Sequence, residues 1–300
     1  MFGHRRDGKE LKNLPPEFRL IPILMKERDD SQVFFKKDIS IAAIEEYIDK
    51  KKEEGINLGI MDVIFATVIR VLSERPQLNR FCINGRTYAR NEITTSLSIK
   101  KSKTDEGEET TIKVHWKGNE NIFDVSKKLQ EIVAYNKDTQ NENATDKTAN
   151  FLNKLPTWLF KLAVGMLKHL DKKGRLPKSI IEASPFHTSA FITNVGSIGI
   201  DAIYHHIYNF GTTSLFFAMG KKKKGYIYED EELKQDKTIS IAFVGDERIC
   251  DGYYYANTFR QMERFWRKPE LLEEHPVRKY DPNVPVKKRK KEKSKETNIM

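Results

Sequence analysis

The chain has 300 residues, a formal net charge of +10, and 38% hydrophobic against 32% charged side chains. That length can bury a substantial core, and the mixture describes a soluble globular protein with polar appendages. No run approaches the roughly 18 apolar residues of a membrane span, and two cysteines, Cys82 and Cys250, make neither a disulfide framework nor a metal site.

Residues 1–30 are polar at their start and carry Pro15-Pro16, Pro22 and an apolar cluster from Phe18 to Met25. They read as an arm that docks on the body, with no apolar stretch of signal-peptide type, so the cytoplasm is the expected location. Val33-Phe34-Phe35 reads as a strand. Asp38-Ile39-Ser40 then prepares a helix through Lys51, with Ser40 as N-cap and Ile41, Ile44, Tyr47 and Ile48 on one face. A second helix begins near Asn57, is apolar on most sides and therefore buried, and stops at Pro76. Asn84-Gly85 between two strand-like runs predicts a two-residue hairpin, because both residues tolerate positive φ.

Strands follow at Ile93 to Ile99 and Thr110 to Trp116, with a polar loop between them, and a helix at Phe123 to Tyr135. Asn136 to Asn150 is polar and reads as a mobile stretch. The apolar helix from Trp158 to Leu170 carries Lys154, Lys161 and Lys168 at its borders. Three placements are open to it: core, cover of a substrate channel, or a membrane surface. In the last third, Ser189 to Thr193, Thr213 to Met219 and Thr238 to Val244 read as strands. Lys221 to Lys224 reads as a loop. A helix bearing Ala256, Phe259, Met262 and Trp266 on one side comes last. Helices and strands interleave with hairpin-like links, which makes the class α+β.

Lys287 to Glu296 holds seven positive and two negative side chains, half of the net excess. Such a block is a solvated, disordered tail that can attract an anionic surface. The charge left over the body indicates no nucleic-acid binder. The expected organisation is an arm at 1–30, a body at 31–270 and a basic tail at 271–300.

Three segments in order carry a resemblance: Phe191-Ile192-Thr193-Asn194-Val195-Gly196-Ser197-Ile198-Gly199, then Leu215 to Gly220, then Cys250-Asp251-Gly252-Tyr253. Together they resemble the strand-and-turn, the following strand and the Asp-Gly end of the His-x-x-x-Asp-Gly motif in the catalytic domain of the 2-oxoacid dehydrogenase dihydrolipoyl acyltransferases and chloramphenicol acetyltransferase. The resemblance spans roughly residues 30 to 270. It implies a two-layer mixed sheet covered by helices, a homotrimer with sites between subunits, and coenzyme A or acyl-CoA as substrate without a metal. It implies roles for three residues. Thr193 is the oxyanion donor, Asp251 the architectural carboxylate, and Glu247 stands where the motif has its catalytic His. A carboxylate is a weaker base than an imidazole, with reference values of about 4.3 and about 6.5. Arg248 is a candidate partner for Glu247, and His187, His205 and His206 are candidate substitute bases. The lipoyl domain that accompanies such enzymes is not in this chain.

The expected function is therefore acyl transfer from a CoA thioester to a thiol, hydroxyl or amine. The alternative is a catalytically inactive trimeric relative that binds a ligand or serves as a scaffold.

Overall fold

The computed structural model describes residues 5–100, 109–137, 143–229 and 231–282. A six-stranded mixed sheet runs through the centre in the order β2 (Gln32–Ser40), β9 (Glu232–Asp246), β8 (Leu215–Glu229), β7 (Ala190–Asn194), β5 (Ile93–Lys100), β6 (Glu109–Trp116). β7 is parallel to both β5 and β8, and the other pairs are antiparallel. A small sheet of β1 (Gly8–Glu10), β4 (Arg86–Arg90) and β3 (Arg80–Ile83) lies beside it. The β3–β4 turn is the expected one, with Asn84 at φ 51° and Gly85 at φ 69°.

One face of the large sheet is the core. Alternation places Ala190 and Ile192 of β7, Leu215, Phe217 and Met219 of β8, and Ile239, Ile241 and Phe243 of β9 there. Against them pack α2 (Ala42–Glu53), α3 (Ile60–Glu74), α4 (Ile122–Lys137) and α8 (Gly252–Arg267). α3 is buried from Val63 to Ser73, as an all-round apolar helix must be. The opposite face is thinner. There Phe191, Phe216 and Val244 meet Ile207, which comes from the irregular segment after β7. The architecture is thus α+β, with a mixed sheet covered by helices.

Tertiary pairing overrides local sequence in several places. Asp38-Ile39-Ser40 belongs to β2, because its ladder with β9 continues to Ser40 opposite Thr238. Ile41 takes the N-cap position of α2, and the Ser40 hydroxyl accepts from the Ala42 N–H at 3.3 Å. Lys221 to Lys224 is strand, not loop, since β8 and β9 continue as a ribbon that pairs Lys224 with Lys237. Part of the polar stretch is helix α5 (Ala144–Asn153), capped where the Asn143 side chain accepts from the Asp146 N–H at 3.0 Å. Residues 138–142 and the basic run from Lys287 lie outside the described residues. Leu272 and Tyr280 are buried against the body. α6 (Thr157–Lys172) is not core, as Asp171 is its buried residue.

Asp171 ties the amino-terminal arm to the body. Its carboxylate takes Arg5 Nη2 at 2.7 Å, the Gly211 N–H at 3.2 Å and His187 Nε2 at 3.3 Å, all in the interior. Burial alone would raise the Asp171 carboxyl. The hydrogen bond from His187 and the charge of Arg5 outweigh it and hold the group below its ordinary 3.8. Burial holds the His187 imidazole below its ordinary 6.5. Both shifts mean that the unfolded chain binds more protons on acidification, so stability falls as pH falls. Urea unfolding should show a loss of stability from about pH 7 to about pH 4. Asp171→Asn should flatten the lower part of that profile.

Candidate active site

The end of β9 is fixed by one buried carboxylate. Asp246 accepts from Arg248 Nε and Nη2, each at 2.8 Å, from the Arg248 N–H at 3.0 Å and from the Ser31 hydroxyl at 3.2 Å. Arg28 Nε stands 3.6 Å from the same carboxylate. Arg248 also donates to the carbonyls of Met25 and Lys26 at 3.2 Å, and Arg28 to those of Tyr208 at 2.7 Å and Cys82 at 3.1 Å. Burial lowers the Arg28 pKa and Asp246 opposes it. For Arg248, Asp246 wins over burial and raises it. Arg248 thus pairs with Asp246, not with Glu247: Asp246, the last residue of β9, and Arg248 in the turn are buried, and Glu247 between them is exposed.

Glu247 is exposed, and its N–H donates to the Ser31 carbonyl at 2.8 Å. Asp251 is also exposed and is the N-cap of α8, accepting from the Tyr254 N–H at 2.7 Å. Cys82 and Cys250 are free and buried, and burial pushes both thiols up to about 12. They are neutral core side chains near the turn, not nucleophiles.

Thr193 lies at the other end of the sheet, half-buried, in register with Ala218, which in turn faces Ala242. Ala218 and Ala242 are buried on that face of the sheet, where Ala202 packs against them. The turn after β7 requires its glycine. A Cβ on Gly196 would stand 2.4 Å from the Gly220 carbonyl oxygen, where the bulge between Met219 and Lys222 brings the two backbones together. Asn194, Gly196, Ser197, Met219, Gly220, Lys221 and Lys222, with Ile60 and Met61 of α3, line a cleft of about 350 Å³ there. A larger cleft of about 510 Å³ opens beside the Asp246 turn, lined by Lys26, Arg28, Arg86, Lys172 and Arg248.

Within one protomer Thr193 and Glu247 do not meet. Asp246 is four residues along β9 from Ala242, and β9 is two strands from β7. At about 3.4 Å per residue and about 4.8 Å per strand, the Thr193 and Asp246 backbones stand roughly 17 Å apart, and Glu247 is one residue further on.

No family model and no curated protein matches the sequence. Solved structures do match. A probable dihydrolipoamide acetyltransferase from Listeria monocytogenes superposes with a TM-score of 0.54 at 14% identity, over 87% of this chain and 95% of that one. The dihydrolipoamide acetyltransferase of Azotobacter vinelandii gives 0.54 at 11% identity, over 88% and 94%. A chloramphenicol acetyltransferase gives 0.54 at 10%, over 86% and 99%. The chain has the acyltransferase fold of these proteins.

The three histidines considered as substitute bases take different places on this acyltransferase fold. His187 is buried, bonded to the Ser184 hydroxyl at 2.8 Å and to Asp171. His205 stacks on Phe216 with ring centroids 4.5 Å apart, on the thinner face of the sheet. His206 is exposed and meets Tyr208 edge-on. The sequence reading missed Arg28 and the anchoring role of Asp246. The Asp-x-Arg spacing at Asp246 and Arg248 was the available signal for half of it.

Asp246→Asn removes the carboxylate that two buried guanidinium groups share. Uncompensated buried charge costs about 3–5 kcal/mol, so denaturant unfolding should show a stability loss of that order. Glu247→Gln, in solvent, should leave stability unchanged in the same assay.

Proposed function

We propose that this protein is a CoA-dependent acyltransferase of homotrimeric form, working in the cytoplasm. The observation that carries the proposal is the acyltransferase fold, together with the glycine turn after β7 that shapes a cleft lined by Lys221 and Lys222. Lys221 and Lys222 suit the phosphates of coenzyme A, and the apolar side chains of Ile60 and Met61 suit its pantetheine arm.

In this reading the active site is completed between protomers, with Thr193 from one and Glu247 from its neighbour. The separation of the two groups within one chain and the exposure of Glu247 support it. An acceptor thiol, hydroxyl or amine attacks the thioester carbonyl, and Glu247 takes the acceptor's proton. The Thr193 hydroxyl donates to the oxyanion of the tetrahedral intermediate. The C–S bond then breaks, and the proton returns from Glu247 to the departing CoA thiolate. Asp251 holds the start of α8, and Asp246 with its two arginines holds the turn that presents Glu247.

Coenzyme A and acyl-CoAs should raise the melting temperature, since a ligand that binds only the folded state stabilises it. Thr193→Ala and Glu247→Gln should each lower kcat by about 100-fold or more while CoA still binds. Mixing the two variants after dissociation and reassembly should restore part of the activity, because some interfaces regain both groups. CoA binding without turnover for any acceptor class would assign the scaffold role instead. Absence of CoA binding would overturn the acyltransferase reading.

A further inference from the structure

We infer that α6 is a membrane-surface anchor that seats the protein on an anionic bilayer. Trp158, Leu162 and Met166 follow one another at intervals of four along α6, so they form one stripe. They are 69%, 63% and 57% exposed, which is unusual for side chains of this size lying side by side. About 100° round the helix lies a second stripe, Lys161, Lys168 and Lys172. All three of these lysines are exposed. The remaining apolar side chains of α6 are half-buried and turn toward the body.

Charge selects the partner. From Lys154 to Arg175 the exposed charged groups are Lys154, Lys161, Lys168, Lys172, Lys173 and Arg175. The one acid in that interval, Asp171, is buried and bonded to Arg5. An apolar stripe flanked by lysines, of which Lys172 is paired with Glu27, matches the boundary between acyl chains and anionic headgroups, with Trp158 as the amphipathic edge residue. α6 is 16 residues long, about 24 Å, and therefore shorter than the roughly 30 Å hydrocarbon layer. No described helix is long and apolar enough to cross a membrane, so α6 lies in the interface plane. Its carboxyl end is tied to the segment that follows α1 (Pro16–Leu24) by the ion pair of Lys172 with Glu27 at 3.0 Å. α1 itself exposes Leu20, Ile23 and Leu24, adding apolar surface at that end.

The test uses the full chain and vesicles of phosphatidylcholine, with or without phosphatidylserine. Trp116 and Trp266 are 3% and 4% exposed, so a blue shift of tryptophan emission on adding vesicles reports Trp158. The expected results are co-sedimentation with anionic vesicles, a blue shift that Trp158→Phe removes, and weak binding to neutral vesicles. Leu162→Glu and the pair Lys161→Glu with Lys168→Glu should each weaken binding about tenfold or more. All these positions are exposed, so folding should be unaffected, which circular dichroism checks. Four outcomes would overturn the inference. They are wild-type protein left in the supernatant, Leu162→Glu binding as wild type does, binding abolished by deleting residues 287–300 alone, and a changed oligomeric state of Leu162→Glu without lipid. The last would make the stripe a contact between protein chains.

Discussion

The buried carboxylate of Asp246 is the point on which the functional end of the molecule rests. It is shared by Arg28 and Arg248, and through them it joins four separate pieces of chain. Arg248 reaches back to the carbonyls of Met25 and Lys26, and Arg28 to those of Cys82 and Tyr208. The Tyr255 hydroxyl of α8 donates to the Asp246 carbonyl at 2.9 Å. A buried ion pair costs desolvation, and it persists where its hydrogen bonds are satisfied and its geometry is specific. Here Arg248 donates through Nε, Nη1 and Nη2 and Arg28 through Nη1 and Nη2 to carbonyls or to Asp246, so the turn that follows is held in one place.

That constraint explains the division of labour in the Asp246-Glu247-Arg248 stretch. The first and third residues point inward and build the anchor, while the middle one is presented to solvent. A residue presented on a rigid turn serves a neighbouring protomer or a ligand better than its own core. The same logic applies at the far end of the sheet. The contact of Gly196 with the Gly220 backbone sets the shape of the cleft between the turn after β7 and the start of α3.

The helices divide in a comparable way. α3 is apolar all round and sits in the middle of the core. α6 is apolar over much of its length yet lies at the surface with a stripe of large side chains exposed. Apolar content by itself does not distinguish these cases, because a helix becomes core only when other elements cover it. The flanking lysines of α6 were visible in the sequence, and they are what an uncovered apolar helix needs to find a lipid surface.

What the sequence determined by itself was local or periodic. The Asn84-Gly85 hairpin, the buried α3, the strands β5 to β7 and the order of the acyltransferase-like motifs all follow from residues close together in the chain. Thr193, Glu247 and Asp251 could be named as candidates because motif spacing is a property of sequence. Tertiary structure alone decided the rest. It extended β2 to Ser40 and made strand of Lys221 to Lys224, because ladder pairing comes from a distant partner. It gave Arg248 to Asp246 and brought Arg28 from more than two hundred residues away, since a buried charge takes whichever partner the fold delivers. It also put Thr193 and Glu247 at separate ends of one sheet, a distance that no linear spacing encodes.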